Sequence, residues 1–264
     1  WELTEKHPVV DLTLYQRRNF WAGSLALSIA YGVFFGNVVL LPLWLQQYMG
    51  YTATQAGMVL APVGVMALVL SPVVGKSIGK VDPRYFATFA FLVFALVLWM
   101  RSHFNTQADI ATIMIPTIIQ GVAMAFFFIP LVTITLSGLP PERIPAASGL
   151  SNFTRITAGA VGTSVATTLW ESRAAMHHAH LVESITLGNP IASGALSGLA
   201  SSGINAEQAL AQVNRMVDQQ AFMLAANDIF YMSAALFLLL IPLIWMTQPP
   251  KASMGNADAA AGAH

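Results

Sequence analysis

The sequence contains no cysteine, which excludes disulfides, thiolate metal sites and cysteine nucleophiles. Charge is almost as scarce. Lysine, arginine, aspartate and glutamate make up 9% of the 264 residues, against roughly 25% in soluble chains. The 12 basic and 12 acidic residues cancel, so no basic surplus exists to hold nucleic acid. No cationic stretch opens the chain either. Residues 1–14 are polar, with Glu2, Glu5, Lys6, His7 and Asp11, and they do not read as a leader peptide. The chain is therefore expected to begin within a longer protein. What fills it is apolar, at 56% of residues. A surface that poor in charge does not stay dissolved, so lipid is the expected solvent and an all-α membrane protein the expected class.

Crossing a ~30 Å hydrocarbon core takes ~20 apolar residues in a helix. Six stretches qualify, at about residues 20–45, 55–75, 85–100, 110–136, 147–170 and 222–246. The first two carry no charge. The third is bracketed by Arg84 and Arg101, the fourth contains Pro116 and Pro130, and the fifth carries Arg155. Sustained two-residue alternation, the mark of a barrel, is absent, so helices are the structure that can satisfy their backbone groups in lipid. Residues 1–19 then form a linker, 171–221 one long loop, and 247–264 a tail.

Basic residues set the orientation. Six spans leave both ends on one side, with Lys6, Arg17, Arg18, Lys76, Lys80, Arg84, Arg143 and Lys251 there; only Arg101, Arg173 and Arg215 fall on the other. The positive-inside rule places both ends in the cytoplasm and loop 171–221 outside. Within that loop Asn205 is suited to cap a helix over 206–220, and the Gly/Ser/Ala-rich stretch 188–203 reads as irregular.

Few residues promise chemistry. The turn Gly75-Lys76-Ser-Ile-Gly79-Lys80-Val81-Asp82-Pro-Arg84 fails as a phosphate loop, because its glycines are too close and Val81 follows the lysine. It suits a tight connection between helices, with Asp82 and the basic residues free to pair with helix ends. Arg155 lies ~12 Å inside its span by helical rise, on a stripe with Ser148, Asn152, Gly159, Gly162 and Ala166; such a charge serves either packing or a transport path. Asp228 is either a proton-carrying carboxylate or an interfacial group at a helix end. Phe34 and Asn37 in the first span, with Gln120, Met124 and Phe127 in the fourth, offer an aromatic and amide wall for hydrophobic or cationic molecules. His177, His178 and His180 lack a completing carboxylate, and no metal site is expected. Nothing resembles a catalytic constellation.

The Gly75–Arg84 turn resembles the signature loop of the major facilitator superfamily, in the copy found in the C-terminal half. Gly121, Pro130, Leu139-Pro140 and the run Ala147-Ser-Gly-Leu-Ser-Asn152-Phe-Thr-Arg155, followed by Gly159 and Gly162, resemble the fourteen-span drug:proton antiporters of the EmrB/QacA type. The resemblance implies the C-terminal six-helix bundle of a multidrug exporter in a bacterial inner membrane. It implies proton-gradient coupling without a cofactor, a cavity shared with an absent N-terminal bundle, and partnership with a periplasmic adaptor and an outer-membrane channel. In that frame Phe34, Asn37, Gln120, Met124, Phe127 and Asn152 are expected on the substrate path. Arg155 and Asp228 are expected in coupling or gating, and Gly75, Lys76, Gly79, Lys80, Asp82 and Arg84 in the signature loop. Uptake or export of another solute, or a non-transporting scaffold, stays open.

Overall fold

A computed structural model describes residues 11–78, 80–183, 185, 189–201, 203 and 205–249. Gly79, most of the expected linker and most of the tail lie outside them. Among the described residues the fold is all-helical. The helices are α1 (Arg18–Gln47), α2 (Ala53–Ser77), α3 (Pro83–Arg101), α4 (Ile110–Ala125), α5 (Phe128–Leu136), α6 (Ile144–Glu183), α7 (Pro190–Ser201) and α8 (Ala206–Trp245). Short 3₁₀ turns precede α1 and α6.

Local chemistry starts these helices where the apolar runs begin. Thr52 and Gln55 form a reciprocal capping box at α2. Asp82 caps α3 just before Pro83, Asp109 caps α4, and Asn205 caps α8 by accepting from the Gln208 N–H at 2.8 Å. Five stretches are long and apolar enough to cross a membrane: α1, α2, α3, α4 with α5, and α8. The fifth expected span belongs to α6, which is long but diluted by serine, threonine, histidine and charge, and it does not meet that measure.

The helices depart from the expected spans in three places. Loop 171–221 is mostly helix: the helix expected over 206–220 is there but continues into the last span, and helix also covers 171–183 and 190–201. At 40 residues each, α6 and α8 run ~60 Å by helical rise, twice the ~30 Å hydrocarbon thickness. Their overhanging ends stay helical because they pack on each other: Ala174, Ala209 and Val217 are buried, and the Trp170 Nε1–H donates to the Phe222 carbonyl at 2.9 Å. Pro190–Ser201, expected to be irregular, is helical. Pro190 is pre-shaped for a first turn, and Ser193, Ser197 and Ser201 return their hydroxyls to carbonyls of their own helix. The third departure is a break in the fourth span. Pro130 has no N–H for the Phe126 carbonyl, and Phe126 and Phe127 instead donate to Ala123 and Met124 three residues back, which separates α4 from α5.

Packing follows residue size. α1 lies against α6, α2 against α4, and α3 against α8. Small residues set the first contact: a Cβ on Gly32 would sit 2.8 Å from the Ala158 carbonyl oxygen, and one on Gly36 2.8 Å from the Ala166 Cβ. Gly162 packs on Gly32 from the other side. This is the close backbone approach that drives helix association where water supplies no hydrophobic force. The core between the helices is aromatic, with Phe94 stacked on Phe237 at 4.9 Å and edge-on to Phe127 at 5.4 Å.

Candidate substrate cleft and coupling groups

Arg155 projects from α6 into a cleft of about 330 Å³ between α1, α5 and α6. Leu27, Val132 and Leu136 give it apolar walls; Ser148, Ser151 and Asn152 give it polar points. The guanidinium rests on two rings, 4.7 Å from the Tyr31 centroid and 5.5 Å from that of Phe128. It also donates to the Asn152 Oδ1. Aromatic faces stabilise a cation without neutralising it. Among the described residues no carboxylate comes within ion-pair distance of Arg155. The α4–α5 break brings Phe128, at the start of α5, to this cleft, and the N-terminal end of a helix adds positive potential.

The stripe expected along α6 therefore divides. Gly162 and Ala166 serve the α1 contact, Gly159 packs beneath Tyr31, and Asn152 with Arg155 opens on the cleft.

The expected aromatic and amide wall lies elsewhere. Phe34, Asn37, Gln120 and Phe127 are all buried within the bundle, and Met124 packs half-buried at its margin. Phe34 and Phe127 belong to the aromatic core. The Asn37 amide donates to the Val33 carbonyl at 2.7 Å and to the Ser233 hydroxyl at 2.9 Å, tying α1 to α8. Helical periodicity identified a face correctly buried in each case; it could not say that the face met other helices rather than a cavity.

A second arginine went unrecognised. Arg101, at the end of α3, is 1% exposed, although sequence reasoning placed it outside the membrane as a flanking charge. Its Nη2 donates to the Gln120 Oε1 at 2.6 Å and the Thr117 Oγ1 at 3.3 Å, and its Nε has no partner. The signal was present: Thr117 and Gln120 stand three apart on one face of an otherwise apolar helix.

Asp228 lies near the overhanging ends of α6 and α8. Its Oδ2 is 2.8 Å from the His177 Nε2 and 3.6 Å from Arg173. The neighbouring His178 meets Asn214 at 3.2 Å and Asp218 at 3.4 Å. These histidines join helix to helix, and no group of three His, Asp or Glu able to hold a metal occurs among the described residues. Nearby, burial, reinforced by Asp218 and Glu171, pushes the Tyr48 phenol up to about 12.

At the opposite end Gly75, Lys76 and Lys80 are exposed. Asp82 caps α3 and binds the Arg84 guanidinium at 2.7 Å. Partial burial pushes the Asp82 carboxyl up, but the Arg84 bonds outweigh it and hold it below its ordinary value. Arg84 also donates to the Thr247 carbonyl at 3.0 Å and covers the Trp245 ring at 5.1 Å. Arg18 donates to the Met246 carbonyl at 2.6 Å. Two cations thus hold the carbonyls of the two residues that follow α8, where the helix dipole favours them.

Comparison with known proteins sets this geometry in a family. The model of the Major Facilitator Superfamily matches residues 3–163. The multidrug export protein EmrB of Escherichia coli (strain K12) is 46% identical over 265 residues, covering 100% of this chain and 51% of that protein. The fatty acid resistance protein FarB of Neisseria gonorrhoeae is 43% identical over 256 residues, covering 97% and 50%. The probable multidrug resistance protein EmrY of Escherichia coli (strain K12) is 39% identical with the same coverage. The chain spans about half the length of these curated relatives.

Proposed function

This chain belongs to the major facilitator superfamily, and on that premise we propose that it is the C-terminal six-helix bundle of a proton-coupled exporter of hydrophobic drugs. Such transporters bind substrate between two pseudo-symmetric bundles that rock about it. The apolar α2, whose membrane-crossing stretch is only 11% buried here, and the Arg155 cleft leave surfaces for the other bundle and for substrate. The bundle sits in a bacterial inner membrane with α6 as its fifth span and both ends cytoplasmic, as the basic residues favour. The energy source is the proton gradient, and no cofactor takes part. Asn152 and Arg155 meet the substrate; Phe34, Asn37, Gln120, Met124 and Phe127 form the rigid backing of that wall. Asp228, held by His177 and Arg173, gates the outer end, and the Gly75–Arg84 turn is the signature loop. The overhanging ends of α6 and α8, with α7, meet a periplasmic adaptor that leads to an outer-membrane channel.

The observation that carries this proposal is the Arg155 cleft, and it also shifts the expected substrate. A fixed cation with no carboxylate beside it among the described residues favours lipophilic acids over lipophilic cations. The name of the FarB relative points the same way, since a fatty acid is a carboxylate on an apolar chain. In proteoliposomes of the intact transporter under an imposed pH gradient, efflux of a medium-chain fatty acid should exceed that of ethidium. Arg155→Ala should cut kcat/KM for the acid by about tenfold, the loss of one charge-assisted contact. Equal efflux by wild type and variant would sink the assignment.

A further inference from the structure

Two hollows meet on the outer flank of α3 and α8, sharing no residue with the Arg155 cleft. One is an apolar groove of about 370 Å³. Leu92, Leu96 and Leu238 form its ridges, and the small Ala95, Ala234 and Ala235 its floor. On each helix these positions recur at three, four and seven residues, so they form one stripe. The other hollow, of about 350 Å³, is polar and holds His103, Arg173, Asn227 and Asp228. Trp99 and Tyr231 line both, which makes the two continuous. They are 51% and 63% exposed, as suits rings at the level of lipid headgroups.

The polar end is incompletely satisfied. Arg173 touches Asp228 at 3.6 Å, but Asp228 makes its closer contact, 2.8 Å, with His177. A guanidinium has five N–H donors, and one loose ion pair leaves most of them available to a phosphate. The Asn227 amide donates to the Phe104 carbonyl at 2.9 Å, while its Oδ1 is buried without a partner. His103 binds the Trp99 carbonyl through Nδ1 at 2.8 Å. The hollow therefore presents a cation and a carboxylate above an apolar slot.

We propose that this surface binds one aminophospholipid of the extracytoplasmic leaflet. Its phosphate lies on Arg173, its ammonium lies against Asp228, and an acyl chain runs down the α3–α8 groove. An isolated anion would face the Asp228 charge; a zwitterion with N–H donors answers both signs. A quaternary ammonium has no N–H to offer the Asp228 carboxylate. The assignment rests on the membrane orientation proposed above but not on which drug is exported.

The test is native mass spectrometry of the intact transporter in detergent with added phosphatidylethanolamine, phosphatidylcholine or free phosphoethanolamine. Phosphatidylethanolamine should remain bound, and phosphatidylcholine with the same acyl chains should bind several-fold more weakly. Free phosphoethanolamine should not compete at equal concentration. Arg173→Gln should weaken retention by about tenfold. Ala235→Leu, which fills the exposed groove without entering the core, should do the same with the headgroup site intact. Equal retention of both lipids overturns the headgroup assignment, unchanged retention in both variants overturns the site, and full competition by phosphoethanolamine overturns the lipid. Binding is read by mass alone, so its failure leaves the exporter proposal standing, and a failed efflux assay leaves the lipid site standing.

Discussion

Arg101 and Arg155 carry the same guanidinium into the same bundle and meet opposite surroundings. Arg101 is enclosed, its Nη2 bonded to two neutral oxygens from one turn of α4 and its Nε without a partner. Arg155 lies on two aromatic faces at the edge of a cleft, bonded only to an amide on its own helix. Neither has a carboxylate among the described residues. A buried cation without a counterion is costly, and the fold answers that cost differently each time. Around Arg101 it supplies fixed dipoles and excludes solvent, which makes a strut between α3 and α4. Around Arg155 it leaves the charge accessible, so a ligand's charge can complete the balance. Burial separates the strut Arg101 from Arg155, for which a substrate contact is proposed; residue type does not.

The largest expected effect comes from breaking the strut. Arg101→Ala leaves a cavity and strands the Gln120 carbonyl, for a loss of about 3 kcal/mol in unfolding of the intact protein in detergent. Arg101→Met also strands the Gln120 carbonyl but keeps most of the volume and removes the buried charge, which offsets that cost, so its change should stay within about 1 kcal/mol. If methionine costs as much as alanine, the cation is stabilising and the contrast with Arg155 collapses. Next in size is Arg155→Ala. Two cation–π contacts are worth about 1–2 kcal/mol together, so the melting temperature should fall less than in Arg101→Ala while acid efflux falls. A drop comparable to that of Arg101→Ala would make Arg155 a second strut.

The sequence displayed the helices more clearly than the site, for a physical reason. Apolar runs and caps such as Asn205 act locally, so membrane-spanning segments and helix starts can be read one at a time. Helix 206–220 is announced by its Asn205 cap, whereas the extension of α6 beyond its span depends on Trp170 and His177 meeting residues some 50 positions away, which no local pattern encodes. The α4–α5 break was signalled by Pro130, yet its significance lies in placing Phe128 beside Arg155. Asn37 and Gln120, the amides of the expected substrate wall, find their partners, Ser233 and Arg101, on other helices, which the pattern of their own helix does not show. A polar residue in a span announces that it needs company. It does not announce whether that company is protein or substrate.

A third arginine sharpens the contrast, because Arg84 has the carboxylate that the other two lack. Asp82 serves Arg84 and the α3 N-terminus together, and asparagine caps a helix about as well as aspartate. Asp82→Asn therefore isolates the charge. With both side chains mostly but not fully shielded, at 14% and 20% exposure, the pair should be worth on the order of 0.5 kcal/mol. The sign follows from the Asp82 carboxyl being held below its ordinary value. Its contribution is complete above the unfolded carboxylate range, near pH 4, and is lost as pH falls through the lower folded value. The gap in melting temperature between wild type and Asp82→Asn should accordingly be constant from pH 7 to about pH 5 and close below about pH 4. A gap that persists at pH 3 would mean that Asp82 holds the α8 end through geometry alone, and that Arg84, like Arg101, needs only dipoles around it.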